Sequence, residues 1–309
     1  MIACFFPGQG TLRLGIGQAF RRHPAAAAAL ADAELVLGRD LSALCSRGPL
    51  ATLISTENAQ PVVTACNLAG LAALRANGLE PDVVAGHSVG ELSAVHAAGV
   101  LDFTATLRLV DFRARLMARV RREGGMSAVF GLNVPTVAAL ARVAEPGGTL
   151  AVAIENGADH VVVSGPPDAL GGFVPLAMAS GARKVLPLSV SHAFHSPLMA
   201  EVADEWAERV GEETLRDPAC PVLLNATGRA TMDRAEIRQG LIAQFTGRVL
   251  WAGVLRSAVR MGVRAGVEVG DSKALTGLAR AAGLSCVSMS DPAWPRMTRA
   301  LRATARASA

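Results

Sequence analysis

The sequence predicts an α/β protein: a parallel sheet with crossover helices, interrupted by a small inserted subdomain of ferredoxin-like pattern. Three observations carry this. Short apolar runs at residues 2–6, 83–85, 222–225 and 265–269 alternate with stretches of helical spacing, as strands joined by crossover helices do. Between residues 126 and 189 the texture changes to short β-rich runs in the order β-α-β-β-α-β. The chain has 309 residues, 51% of them hydrophobic and 18% charged, enough for a large core carrying an insertion.

The elements follow in order. Residues 2–6 read as the first buried strand, running straight into Pro7-Gly8. The Ala-rich run 25–33 contains Asp32 and reads as a water-soluble helix. Residues 60–76 have helical spacing, with Pro61 near the start, where proline is tolerated. Residues 83–85 form a buried strand, and 91–98 a helix that stops at Gly99. Residues 100–120 read as a helix with a basic face of Arg108, Arg113, Arg115 and Arg119, broken by Glu123-Gly124-Gly125. Strands at 126–132, 150–154, 160–164 and 183–188, with helices at 135–144 and 167–179, make up the insertion. The boundaries are therefore 1–123 and 190–309 for the large subdomain, and 124–189 for the small one. The last dozen residues read as an Arg- and Ala-rich helix that frays.

Composition excludes several classes. No apolar stretch reaches the ~18–20 residues of a membrane span, and the N-terminus lacks the layout of a signal peptide. The expected location is cytoplasmic and the expected state a monomer. The five cysteines are scattered, with no C-x-x-C pair or Cys/His cluster, so neither a zinc nor a redox site is expected. The net charge of +4 is too small and dispersed for nucleic acid, but it permits an acidic protein partner. Arg183, Lys184, Arg280, Arg296, Arg299 and Arg302 are candidates for such a contact.

Chemistry enters at Gly86-His87-Ser88-Val89-Gly90, a G-x-S-x-G pattern between the strand at 83–85 and the helix at 91–98. Strand, sharp turn and helix are the context of a nucleophile elbow. The glycines let a strained serine project Oγ outward, and the helix N-terminus aims N–H groups at a developing oxyanion. A nucleophilic serine needs a base. His87 adjoins the serine and diverges from it, and His96 lies about 12 Å further along a helix. His23 sits in a polar stretch and His160 at the start of a subdomain strand. That leaves His192 and His195, in a polar loop between a strand and a helix, where open α/β sheets place reacting groups. Spacing alone makes Arg113 part of a solvated basic face.

Phe6-Pro7-Gly8-Gln9-Gly10, Gly86-His87-Ser88-Val89-Gly90-Glu91, Arg113 in a helix with Met117, His192-Ala193-Phe194-His195-Ser196-Pro197, and Glu268-Val269-Gly270 followed by Leu275-Thr276-Gly277-Leu278 occur in order. In these motifs the chain resembles the malonyl-CoA:acyl carrier protein transacylases, including the acyltransferase domains of polyketide synthases, from about Ile2 to Ala282. The resemblance implies an α/β-hydrolase-like large subdomain with a ferredoxin-like insertion. It implies Ser88 as nucleophile, His195 as general base, and the N–H groups of Gln9 and Val89 as oxyanion hole. It also implies that Arg113 clamps the free carboxylate of a malonyl group, with His87, His192 and Phe194 lining the acyl site. A backbone carbonyl, assigned by position to Leu250, orients the histidine in place of an acid. The implied substrates are a coenzyme A thioester and the phosphopantetheine thiol of an acidic acyl carrier protein, with no bound cofactor and no metal.

The chain departs from the family pattern at Thr11-Leu12, Asp271-Ser272, 244–251 and Gly157, none of which removes a catalytic group. The form His192-Ala193-Phe194-His195 goes with malonyl in polyketide acyltransferases. Three readings compete: a transacylase serving fatty acid or polyketide synthesis or a malonate decarboxylase system, with malonyl or another acyl group; a serine esterase or thioesterase; and a non-catalytic carrier-protein docking module.

Overall fold

The computed structural model describes residues 1–307. Its larger sheet is built from β1 (Ile2–Phe6), β2 (Val83–Gly86), β7 (Val222–Leu223), β8 (Ala230–Thr231), β9 (Ala265–Glu268) and β10 (Ser285–Ser288), in the order β10-β9-β1-β2-β7-β8. All neighbours are parallel except β7 and β8. Both central strands, β1 and β2, are buried along their whole length, which explains why they read as unbroken apolar runs.

Helix Thr56–Ala76 begins a turn earlier than the sequence predicts, so Pro61 lies inside it. Proline has no N–H to give the Glu57 carbonyl one turn back. Arg39 Nη1 donates to that carbonyl instead, at 2.9 Å, and the helix continues through the proline. Strand β10 and the short β8 carry too little periodicity to stand out in the sequence. The run at 222–225 is strand only to Leu223; Leu224 and Asn225 leave the sheet, and Asn225 reappears at the active site.

The second sheet is antiparallel and comprises β3 (Gly125–Phe130), β4 (Ala151–Glu155), β5 (His160–Gly165) and β6 (Lys184–Pro187), in the order β4-β5-β3-β6. Helices Val134–Ala144 and Pro167–Ala179 connect them in the β-α-β-β-α-β order. One face, with Val129, Val161 and Val163, packs on these helices through Val137 and Phe173. The other, with Met126, Ala128 and Val162, joins the main core. A bulge between Val152 and Ile154 lets two residues of like parity face opposite ways, Val152 to the helices and Ile154 to the main core. Residue Val249 stitches the sheets together: its N–H donates to Ala153 O and its carbonyl accepts from Glu155 N, each at 2.9 Å. Arg248 Nη1 adds an ion pair to Glu155 Oε1 at 2.6 Å.

Two glycines make the turn after β2 possible. A Cβ on Gly86 would overlap the Gly90 carbonyl oxygen, and one on Gly90 would overlap the Phe6 carbonyl oxygen. Both obstacles are backbone, so neither gives way. Gly90→Ala is expected to lose several kcal/mol of stability or to fail to fold, measured by urea denaturation; a loss below about 1 kcal/mol, the scale of helical glycine replacement, would contradict this packing.

Among the described residues no helix is long and apolar enough to cross a membrane, and no cluster of His, Cys, Asp or Glu is suited to a metal ion.

Candidate active site

Ser88 sits between β2 and helix Gly90–Ala97 with φ +55°, a left-handed conformation that a non-glycine residue adopts only when its surroundings hold it there. Asn225 holds it. Asn225 Oδ1 accepts the Ser88 N–H at 2.8 Å, and Asn225 Nδ2 donates to the Gly86 carbonyl at 2.6 Å. One amide therefore brackets the elbow. With the Ser88 N–H committed to Asn225, the next donor is the N–H of Val89, among the helix-start donors that no intrahelical carbonyl satisfies.

Ser88 Oγ lies 2.6 Å from His195 Nε2. On the other side of the ring, His195 Nδ1 lies 2.9 Å from the Gln244 carbonyl oxygen. A carbonyl only accepts, so Nδ1 carries the proton and Nε2 is the acceptor for the serine hydroxyl. The orienting carbonyl therefore belongs to Gln244, which corrects the assignment to Leu250. Leu250 caps the next helix, accepting from Val254 N, and its own N–H is held by Asn225 O. The chain between helix Arg234–Gln244 and Trp251 is where the family pattern is broken, and matching by position across that break lands too far along. His195 also has positive φ, +56°. Ser196 Oγ fixes its loop by donating to the Ala193 carbonyl at 2.6 Å.

His195 is 3% exposed. Burial, reinforced by the nearby Arg113 charge, pushes its imidazole down to about 3, against the pull of the Gln244 carbonyl. The neutral base is therefore present well below the ordinary histidine value of 6.5. The acid limb of Ser88 acylation should fall below pH 5; a limb near 6.5 would mean a solvated imidazole. Stability carries the same sign. From about 6.5 down toward 3 the unfolded chain takes up a proton that the folded chain refuses, so stability falls as pH drops through that window.

Arg113 is 2% exposed, not part of a solvated face. Its guanidinium reaches two amide oxygens, Gln60 Oε1 at 2.5 Å and Gln244 Oε1 at 2.9 Å, and lies 5.9 Å from the centre of the Phe245 ring. Among the described residues no carboxylate forms an ion pair with it. Burial lowers it to about 10, with Glu91 opposing, so it remains a cation. Gln244 connects everything: its Nε2 donates to the Ser88 carbonyl at 2.9 Å and to Glu91 Oε2 at 2.5 Å.

These groups open onto a cleft of about 390 Å³ between the two sheets. Ser88, His195, Arg113, Gln60, His87 and the loop Pro7–Gly10 line it, with apolar walls from both subdomains, among them Met126, Val162, Phe194, Leu275 and Leu278. Gln9 thus stands in the cleft wall beside the elbow. His87 is half-buried, donates from Nε2 to Asn156 Oδ1 at 2.9 Å, and is lowered to about 4 by desolvation of its ring. His160, set aside in the sequence as a strand residue, also lines the cleft, stacked on Phe130. His192 does not reach the cleft wall. The bend that buries 193–196 turns Ser191 and His192 outward, with His192 Nδ1 2.8 Å from Ser191 Oγ, and Phe194 supplies the lining instead. At the rim, the unusual Asp271 is buried and pins the loop after Gln9: Oδ1 pairs with Arg13 at 2.7 Å and Oδ2 accepts from Gly17 N at 2.9 Å. Of the basic candidates, Arg183 is paired with Asp159 and Arg280 with the Cys286 carbonyl, while Arg296 and Arg299 are exposed. The side chain of Arg302 lies outside the described residues.

A nucleophilic serine in an elbow, a neutral histidine without an acid, and a buried cation in the same cleft define a serine acyltransferase site. Residues 4–278 match the acyl transferase domain model, and the chain belongs to that family. It is 32% identical over 297 residues to the malonyl CoA-acyl carrier protein transacylase of Bacillus subtilis, covering 94% of each chain. Among solved structures it resembles an acyl carrier protein S-malonyltransferase from Vibrio cholerae, with TM-score 0.88, 34% identity and coverage of 93% and 96% of the two chains. It also resembles a malonyl-transacylase solved in complex with its type II polyketide synthase acyl carrier protein, with TM-score 0.91, 31% identity and coverage of 95% and 97%.

Proposed function

We propose that the chain transfers a malonyl group from coenzyme A to the phosphopantetheine thiol of an acyl carrier protein, through an acyl-enzyme on Ser88. The observation that carries the malonyl assignment is Arg113: a buried cation in the wall of the nucleophile's cleft whose hydrogen-bond partners, among the described residues, are two neutral amide oxygens. A guanidinium fork in that position fits a carboxylate through two parallel hydrogen bonds.

The chemistry is a ping-pong exchange between two thiols. Ser88 Oγ attacks the thioester carbonyl while its proton passes to His195 Nε2. The N–H groups of Gln9 and Val89 hold the resulting oxyanion. The tetrahedral species expels the coenzyme A thiolate, which takes the proton from the imidazolium, leaving malonyl-Ser88. The carrier thiol then gives its proton to Nε2, attacks the acyl-serine, and the serine leaves with that proton. The Gln244 carbonyl keeps Nδ1–H in place throughout, so the histidine needs no carboxylate partner. No metal or bound cofactor has a part in these steps. Arg296 and Arg299, exposed on the C-terminal helix, are candidates for contact with an acidic carrier protein.

The test is initial-rate kinetics with malonyl-CoA and holo carrier protein. Parallel double-reciprocal lines with malonyl-carrier as product are expected. Release of free malonate at the same rate with and without carrier protein would make the chain a thioesterase instead.

A further inference from the structure

Of the buried titratable groups that the steps above leave unused, Glu91 alone, among the described residues, touches the residues that hold Ser88 and Arg113. Glu91 follows the elbow glycine and is fully buried. Its Oε1 accepts from Asn225 N at 2.6 Å and Asn225 Nδ2 at 3.2 Å, and its Oε2 from Gln244 Nε2 at 2.5 Å. The same Gln244 amide accepts from Arg113 through Oε1. Glu91 and Arg113 are thus a buried carboxyl and a buried guanidinium joined through one amide. Burial pushes the Glu91 carboxyl up to about 7, against the pull of the Asn225 and Gln244 donors and the Arg113 charge.

Few charges surround it. Helix Phe103–Ala118 contributes Arg113. Across Gln244 stands His195, and His87 lies on the other side of the elbow. Helix Thr56–Ala76 brings the uncharged Gln60 and Asn67 to this region, while its Arg75 meets the far end of Glu91's own helix at the Ala97 carbonyl. Strands β1 and β2 bring no charged side chain.

Resting on the malonyl assignment, we propose that Glu91 takes up a proton from solvent when a carboxylate-bearing acyl group docks on Arg113. Before docking, the Arg113 guanidinium faces one carboxyl, Glu91, whose ionised fraction offsets it. The substrate carboxylate adds a second negative charge, shares the cation that held Glu91 ionised, and repels the Glu91 anion in a site of low polarity. One proton from the buffer, bound to a Glu91 carboxyl oxygen, restores the balance; no other bond changes. A neutral acyl group such as acetyl leaves the pair as it was. A tenfold rise in proton affinity would take a half-protonated carboxyl at pH 7 to about nine-tenths occupancy, an uptake of roughly 0.4 proton. Malonyl binding should accordingly tighten as pH falls through 7.

The experiment is isothermal titration calorimetry of the Ser88→Ala protein, which cannot be acylated at Ser88, at pH 7 in buffers of differing ionisation enthalpy. Malonyl-CoA should bind with uptake of roughly 0.4 proton more than acetyl-CoA, whose shared phosphates cancel any contribution from the coenzyme. In Ser88→Ala/Glu91→Gln the difference should vanish while malonyl-CoA still binds. If that double variant fails to fold, infrared spectra with ¹³C-labelled glutamate on the single variant give the same answer: a protonated carboxyl band should grow with malonyl-CoA and not with acetyl-CoA. Equal proton counts for the two thioesters, a difference that survives Glu91→Gln, or an unchanged carboxyl band would overturn the inference. Failure of malonyl-CoA to bind at all would instead overturn the malonyl assignment on which it rests.

Discussion

Arg113→Ala is expected to cut malonyl transfer by about 10²–10³ while changing acetyl transfer only a few-fold. A charged hydrogen-bonded pair in a buried site contributes about 3–4 kcal/mol, and each 1.36 kcal/mol is a factor of ten in rate. The selectivity ratio is the proper readout, because truncation has a second effect. It leaves the Gln60 and Gln244 amide oxygens without their donor and removes the cation nearest Glu91. Losing one member of a buried charge set costs about 3–5 kcal/mol of stability, so the variant should also unfold at lower urea concentration. That loss affects every acyl group alike, and dividing malonyl by acetyl rates on folded protein removes it. Equal losses for the two acyl groups would mean that Arg113 supports the fold without reading the substrate.

Ser88→Ala and His195→Ala carry the other large effect. Each should lower transfer by on the order of 10⁴–10⁶, and the double variant should be little worse than either alone, since nucleophile and base act as a unit. The two singles should differ in one respect. Ser88→Ala has no oxygen to acylate and gives no adduct. His195→Ala keeps Ser88 and should form the malonyl adduct slowly. An adduct on Ser88→Ala at the wild-type rate would place the nucleophile elsewhere.

Much of this was legible in the chain, for identifiable reasons. The elbow shows in sequence because Gly86 and Gly90 face backbone on the other side of the turn, leaving no alternative residue. The insertion shows because β-α-β-β-α-β is a local order, written consecutively. His195 could be narrowed only to a pair with His192, since which of the two turns inward depends on a left-handed residue in the loop. Arg113 was obscured by Arg108, Arg115 and Arg119, which are exposed on the same helix. A finer reading of spacing would have separated it, because Val110, Arg113 and Met117 share one buried stripe. Gln244 carries the same signal, a polar residue on the stripe of Ile237, Gly240 and Leu241. Neither stripe says what its polar member touches. The convergence of Gln60, Glu91, Arg113, Asn225 and Gln244 joins residues distant in the chain, such as Gln244 and Glu91, 153 positions apart, and no local pattern encodes it. The misplacement of the orienting carbonyl at Leu250 has the same origin: a backbone acceptor leaves no mark on side-chain sequence.

In the proposed cycle Ser88 carries malonyl between two thiols and is protected from water while it does so. Intact-protein mass spectrometry after a brief pulse of malonyl-CoA tests it most directly, with the adduct located by peptide mapping and its decay followed with and without holo acyl carrier protein. The expected result is a single malonyl adduct on Ser88 that persists in buffer and is discharged at once when the carrier thiol is added, with malonyl appearing on the carrier. An adduct lost to water as fast as to the carrier, or one found on a residue other than Ser88, would contradict it.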